Sequence, residues 1–198
     1  MAPPSVVRMI AARRLLASLT GLALVSAATA ACGADDVAAP AALDVDTLAS
    51  MDVVEMVETL EALPVADRPE DVLVSVRSDE VVLTDETGAE QVVAAPEGLF
   101  HLSVAPYLEQ THDCYFHSLT TCTGELASIP VEVAIVDLAT GETLVAESTQ
   151  TYDNGYVAYW LPDDIEVEVT ITSGDRSGSA TVRTGLDDLT CLTTLQLT

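Results

Sequence analysis

The chain has 198 residues, with 32 acidic residues against 7 arginines, no lysine, and a formal net charge of −25 at pH 7. So acidic a surface repels the phosphate backbone, which argues against a nucleic-acid-binding protein. The length is sufficient for one domain with a small appendage.

The first 31 residues have the features of an export signal. Arg8, Arg13 and Arg14 precede an uncharged, mostly apolar run over residues 15–28, which small residues follow. This run is too short to span a membrane comfortably. Removal of the segment leaves four arginines against 32 acidic residues, a formal charge of −28.

The segment Thr29-Ala30-Ala31-Cys32-Gly33 resembles a bacterial lipobox, in which the cysteine becomes the lipidated first residue of the mature chain. The alternative is ordinary signal-peptidase cleavage, which leaves Cys32 as an unpaired thiol. Both alternatives predict an extracytoplasmic protein, and lipidation of Cys32 predicts an anchor to the outer face of the cell membrane. Residues 32–45 are rich in Ala, Asp and Pro, which predicts a flexible tether.

A helix is predicted after the tether. Asp52 can cap it with Glu55 at capping-box spacing, and Pro64 ends it. One stripe of the helix is apolar: Val53, Met56, Val57, Leu60 and Leu63. Such a stripe must pack on its own domain or on a second subunit. Period-two patterns then predict short strands over 72–77, 81–84, 91–94 and 100–105, with Pro96 and Gly98 at a boundary.

The C-terminal hundred residues show regular strand-like segments separated by turn residues. The segments are 131–138, 143–150, 156–161, 165–172, 179–184 and 191–197. Alternation of apolar and polar residues over 165–172 indicates one buried face and one solvated face. We therefore predict a mainly β fold: a small α+β N-terminal segment over 46–98 and a β-sandwich-like domain over 99–198.

If Cys32 carries lipid, three cysteines remain: Cys114, Cys122 and Cys191. An odd number of thiols in an oxidising compartment leaves at least one of them free. One reading is a structural disulfide with a spare buried cysteine. The other follows from the crowding of two cysteines and two histidines within residues 112–122. Cys and His are the side chains that bind soft and borderline metals, and three thiolates suit copper(I).

Zinc bound by three cysteines and one histidine is the less favoured metal alternative, because zinc sites usually offer paired, closely spaced ligands. His117 is the histidine expected nearest the metal, either as a ligand or as a donor that orients a thiolate. A simple backbone hydrogen bond would explain His117 equally well. His112 is a weaker candidate, and His101, on a predicted strand, is expected to be structural.

Four segments carry a resemblance to a known family: His112-Asp113-Cys114, then His117-Ser118-Leu119-Thr120-Thr121-Cys122, then Gly124-Glu125, and finally Thr190-Cys191-Leu192-Thr193-Thr194-Leu195. Together they resemble the CueP family of periplasmic copper-binding proteins. Looser similarity extends over residues 103–107 and 153–162. The resemblance implies copper binding outside the cytoplasm as part of copper tolerance, with Cys114, Cys122 and Cys191 at the metal site. It also implies a homodimer through the N-terminal part.

Three functions follow from these observations. The first is a protein that sequesters copper(I) or hands it to a copper-accepting protein. The second is a thiol-based reductant of copper(II), which would act stoichiometrically unless the protein is re-reduced. The third is a structural surface lipoprotein with one disulfide. Hydrolase chemistry is poorly supported, since the sequence has no Gly-x-Ser-x-Gly elbow, no His-Glu-x-x-His pair and no phosphate-binding glycine loop.

Overall fold

The computed structural model describes residues 43–198. The predicted export signal 1–31, the lipidation site Cys32 and nearly all of the predicted tether lie outside the described residues. The described part begins with α1 (Val45–Ala49), α2 (Val53–Ala62) and a 3-10 turn at Val65–Asp67. Within residues 43–198, neither helix is long enough and apolar enough to cross a membrane.

Strands form most of the remaining structure and confirm the predicted mainly β fold. In chain order they are β1 (Val72–Val76), β2 (Glu80–Asp85), β3 (Glu90–Ala94), β4 (Leu99–Val104), β5 (His117–Ser118), β6 (Pro130–Asp137), β7 (Thr143–Gln150), β8 (Val157–Pro162), β9 (Glu166–Ser173), β10 (Arg176–Arg183) and β11 (Cys191–Leu192).

Both helices begin at an aspartate cap. The Asp52 carboxylate accepts hydrogen bonds from the backbone N–H groups of Val54 and Glu55, which confirms the predicted start of α2. Asp44 caps α1 in the same way, so helix begins at Val45, where the sequence suggests the end of the tether. The pairing of short helices with a β core is consistent with the predicted N-terminal segment.

The first sheet has the strand order β3-β2-β1-β5 and is antiparallel throughout. Alternate residues of β1 are buried, as the period-two pattern predicts. The apolar stripe of α2 packs on this sheet, with Met56, Val57 and Leu60 fully buried in a core shared with β1 and β2. The stripe is therefore covered within its own chain, and the implied homodimer stays a prediction.

The other two sheets, β10-β9-β6-β7 and β11-β4-β8, share a single apolar core. Phe100 and Leu102 of β4 lie in this core with Val133 of β6 and Val169 of β9. This arrangement confirms a sandwich-like C-terminal part. The opposite face of β4 is buried as well, because Ser103 contacts α2. The three-stranded sheet thus lies between the sandwich core and the N-terminal elements.

Two short strands differ from the sequence-based expectation. The segment 191–197 was predicted as one strand, but only Cys191–Leu192 is strand, and it pairs in parallel with β4 through Cys191 and Ser103. Residues 193–197 leave the ladder apart from a single bridge between Tyr107 and Gln196. The two-residue β5 was not predicted; it pairs with β1, opposing His117 to Val76.

The pairing of β1 with β5 crosses the predicted boundary at residue 98. The described residues belong to one compact unit, in which the segments 46–98 and 99–198 share a sheet. The consequence for function is direct, because residues from both predicted segments lie around the cysteines.

Candidate metal centre

The three cysteines come from three separate pieces of chain. Cys114 lies in the loop that leads into β5, Cys122 lies in the turn after β5, and Cys191 lies on β11. The parallel pairing of β11 with β4 returns Cys191 to the other two cysteines. Its backbone N–H donates to the carbonyl of Tyr115, at 3.1 Å, which ties β11 to the loop that carries Cys114.

Thr190 fixes the position of β5. Its hydroxyl donates to the carbonyl of Val76 at 2.6 Å and accepts from the backbone N–H of His117 at 3.0 Å. Its own N–H donates to Tyr115. This buried threonine therefore joins β1 and β5 to the start of β11. Because Cys191 follows Thr190 directly, these hydrogen bonds also fix the position of Cys191.

The sulfur and nitrogen atoms of the predicted site residues lie close together. The Sγ atoms of Cys114 and Cys122 are 3.6 Å apart, and Sγ of Cys191 lies 3.7 Å from Nδ1 of His117. All three cysteines carry free thiols. Potential ligand atoms form two sets, and within each set all atoms lie within 4.8 Å of one another: His117, Cys122 and Cys191 form one set, and His112, Cys114 and Cys122 form the other. Cys122 belongs to both sets, so it connects Cys114 on one side with Cys191 and His117 on the other.

The solvent exposure of the side chains decreases across the site, from the surface to the interior. His112 is exposed and Cys114 and Cys122 are half-buried, whereas Cys191 is 1% exposed and His117 fully buried. Tyr156, which was not predicted, covers the inner side: its ring stacks at a tilt on His117, and its hydroxyl lies 3.6 Å from Sγ of Cys191. Tyr115 and Phe116, which flank Cys114 on the solvent side, are 51% and 40% exposed.

Glu61 of α2 lies directly behind His117. Its Oε1 is 3.1 Å from Nε2 of His117, and both side chains are at most 1% exposed. The Nε2 atom has no well-aligned hydrogen-bond acceptor, so the contact is chiefly an ion pair. The Glu61 carboxylate also accepts hydrogen bonds from Ser103, at 2.9 Å, and from Asn154, at 3.2 Å. Arg68 lies 4.0 Å away and adds a positive charge.

These contacts set the charges behind the site. Burial alone would raise the pKa of Glu61, but the charge of His117 and the hydrogen bond from Ser103 outweigh it and lower the pKa to about 2. Burial alone would lower the pKa of His117, but Glu61 and Cys122 raise it to about 9. Both shifts favour the charged forms of the two buried side chains, a carboxylate and an imidazolium.

The three thiols differ in the direction in which their pKa values are shifted. Hydrogen bonds from Cys114 and Cys191, with the charge of His117, lower the pKa of Cys122, so its sulfur ionises first. The hydrogen bond with Cys122 raises the pKa of Cys114 to about 12, and hydrogen bonding to both neighbours together with burial raises that of Cys191. A metal that binds all three as thiolates must therefore displace the protons of Cys114 and Cys191.

Two residues beside the cysteines, Glu61 and Tyr156, are not predicted from the sequence. Glu61 lies on the buried face of α2, one residue after Leu60, and an acidic residue within an apolar stripe was the available signal. Tyr156 gave no comparable signal. His101 lies on β4 with its ring against Trp160, at a centroid distance of 4.8 Å, in keeping with the structural role expected for it.

A family model and a solved structure both relate this chain to the same family. The family model described as "Periplasmic copper-binding protein CueP" matches residues 55–196. A solved structure described as "Crystal Structure of S.CueP" is similar with a TM-score of 0.71 and 31% sequence identity, over 77% of this chain and 92% of that chain. No curated protein matches the sequence. The family match spans both predicted segments and every candidate ligand, and the chain therefore belongs to the CueP family.

Proposed function

We propose that this protein binds copper(I) outside the cytoplasm through the thiolates of Cys114, Cys122 and Cys191, and sequesters or transfers it as part of copper tolerance. The observation that carries the proposal is the return of the free thiol of Cys191, 69 residues further along the chain, to the free thiols of Cys114 and Cys122. An extracytoplasmic protein that keeps three neighbouring thiols unpaired requires a ligand that uses them. The family's description as copper-binding names that ligand.

The spacing of the Cys114 and Cys122 sulfurs fits two of the three ligands of a three-coordinate soft metal. Metal–thiolate bonds of about 2.3 Å in a trigonal plane separate the sulfurs by about 4 Å. The observed distance of 3.6 Å between Cys114 and Cys122 needs little adjustment to reach this geometry. Copper(I) is well served by a small number of thiolates, whereas zinc would take His117 as a fourth, tetrahedral ligand. We therefore favour copper(I), with His117 beside the sulfurs.

Partial exposure of the site supports exchange as well as storage. Cys114 and Cys122 are half-buried, so a copper-accepting protein could reach the metal without unfolding this one. We further propose that lipid on Cys32 anchors the chain to the outer face of the cell membrane, with residues 32–45 as a tether. The lipobox-like segment and the export signal of the sequence support this placement.

The test is a titration of the fully reduced, anaerobic protein with copper(I) in competition with a chromogenic chelator. We expect one tightly bound equivalent, which the triple variant Cys114→Ser, Cys122→Ser, Cys191→Ser loses. Cys32→Ser is the matched control, because it removes the one cysteine outside the site and should leave the affinity unchanged. Equal binding by the parent and the triple variant would leave the structural lipoprotein with one disulfide as the better account.

One observation favours the second candidate function, reduction of copper(II). The sulfurs of Cys114 and Cys122 are in contact, so each can give one electron to a copper(II) ion and the pair can end as a disulfide with release of two protons. Two copper(I) ions form for each disulfide. Anaerobic addition of copper(II), followed by counting of copper(I) and of remaining thiols, tests this stoichiometry.

A further inference from the structure

The ligand atoms near Cys122 form two overlapping sets of different depth. The outer set is His112, Cys114 and Cys122; the inner set contains Cys122, His117 and Cys191. Only the outer set has an exposed member, since His112 is exposed while His117 and Cys191 are buried. A copper ion that ends among the three thiolates must therefore reach Cys191 from the side of Cys114 and Cys122.

An open cleft of about 240 Å³ adjoins the outer set at His112. It is lined by Gln110, Thr111, His112, Thr123, Gly124 and Glu125. The wall of this cleft is held in place by Glu125, whose Oε2 accepts hydrogen bonds from the backbone N–H groups of Leu108, Glu109 and Gln110 at 2.7–3.2 Å. His112 lies two residues after this fixed segment, so the segment restrains the position of its ring at the mouth of the site.

His112 and Cys191 are linked through one hydroxyl group. The Tyr156 oxygen lies 3.2 Å from Nε2 of His112 and 3.6 Å from Sγ of Cys191. Both His112 and Cys191 also adjoin Cys122, His112 from the solvent side and Cys191 from the interior. A ligand exchange between His112 and Cys191 therefore lets the metal move inward while the sulfur of Cys122 stays bound.

We infer that His112 is a capture ligand: it binds copper(I) first, together with Cys114 and Cys122, and is then replaced by Cys191. The inference rests on the proposed function. In the exchange the bond from the metal to His112 breaks and the bond to Cys191 forms, with copper(I) unchanged in oxidation state. The Cys191 thiol releases its proton to solvent as its bond to the metal forms.

A ligand that is bound only on the way to the final site lowers the barrier for loading and for unloading equally. We therefore expect His112→Ala to slow both the uptake of copper(I) from a chelator and its return to the chelator by about tenfold, with the affinity changed by less than about threefold. Gln110→Ala is the matched control, because it lines the same cleft without a soft-metal ligand atom. Stopped-flow absorbance of the copper(I)–chelator complex measures both rates in the reduced full chain.

A tenfold loss of affinity with faster release in His112→Ala would make His112 a ligand of the final site and overturn the inference, and so would unchanged rates. A second variant isolates the outer set at equilibrium. Cys191→Ser should still bind one copper(I), more weakly, and adding His112→Ala should remove that residual binding. The inference is contradicted if Cys191→Ser binds no copper(I). It is also contradicted if the double variant Cys191→Ser, His112→Ala binds copper(I) as tightly as Cys191→Ser does. Failure of the proposed function is distinct, since the parent protein itself would then bind no copper(I).

Discussion

The Glu61 carboxylate lies 3.1 Å from the imidazole of His117, at a depth where neither side chain has contact with water. Glu61 belongs to α2 and His117 to β5, so the pair connects the N-terminal elements with the cysteine cluster. Because Nε2 faces Glu61, Nδ1 faces Cys191. The carboxylate thereby fixes which nitrogen of His117 is presented to the sulfurs.

Glu61→Gln keeps the shape of the side chain and removes its charge. We expect the copper(I) affinity of the reduced protein to fall by roughly 10- to 100-fold, because His117 loses the partner that orients and charges it. We also expect urea unfolding to show a loss of about 1–3 kcal/mol, because buried polar partners of the carboxylate are left less well satisfied. Glu58→Gln is the control: it lies on the same helix but is exposed. If both variants bind copper(I) like the parent, Glu61 has no role at the site.

The stability of the apoprotein should depend on pH through His101. Burial lowers the pKa of His101 to about 4, against the attraction of Glu61. Between pH 6.5, the ordinary pKa of histidine, and pH 4, His101 is protonated in the unfolded chain but neutral in the folded chain. The free energy of unfolding therefore falls by roughly 3 kcal/mol as the pH falls from 6.5 to 4.

The variant His101→Phe keeps an aromatic ring against Trp160 and cannot titrate. Urea unfolding at several pH values should therefore show the parent losing stability relative to the variant between pH 6.5 and 4, while contributions from the many carboxylates cancel. A constant difference between the two proteins over this range would show that His101 is protonated as readily in the folded chain as in the unfolded chain.

Two glycines meet beside the site. Gly155 has φ +82°, and a Cβ atom there would lie 2.8 Å from the carbonyl oxygen of Gly124. Gly155→Ala should therefore destabilise the protein by about 2–4 kcal/mol, from backbone strain and overpacking together. Gly88→Ala, at φ +84° with open space around it, should show the backbone strain alone, about 1–2 kcal/mol. Thermal or urea unfolding compares them; equal losses would contradict the close contact.

Mild oxidation of the metal-free protein should join Cys114 to Cys122 before it affects Cys191. The first two sulfurs are 3.6 Å apart and half-buried, and the lowered pKa of Cys122 supplies the thiolate, whereas Cys191 is buried. Peptide mapping after alkylation identifies the linked pair, and copper(I) binding should be lost with it. A disulfide that involves Cys191 in most molecules would contradict the positions described here.

Elements with a strong local pattern were predictable from the sequence. The aspartate cap and the apolar stripe predict the helix α2, and the alternation of apolar and polar residues predicts the strand β9. Both elements bury one face, so their sequences carry the period of the structure. The two-residue strands β5 and β11 carry no such pattern. They form because Val76 of β1 pairs with His117 and Ser103 of β4 pairs with Cys191. These partners are distant in sequence, so the strands depend on the tertiary structure.

The site was predictable in its ligands but not in its surroundings. Cysteine and histidine are scarce in this chain, so their crowding near residue 114 was visible in one dimension. Glu61 is one of 32 acidic residues, and only the packing of α2 against β4 distinguishes it from the solvated ones. Tyr156 likewise gains its role from the three-dimensional neighbourhood of Cys191 and His112.

The central claim is a copper(I) ion held by three thiolates, and X-ray absorption at the copper edge of the loaded, reduced protein tests it most directly. We predict the edge of copper(I) and three sulfur neighbours at about 2.3 Å. A shell with only one or two sulfurs completed by nitrogen or oxygen, or the edge of copper(II), would contradict the three-thiolate site.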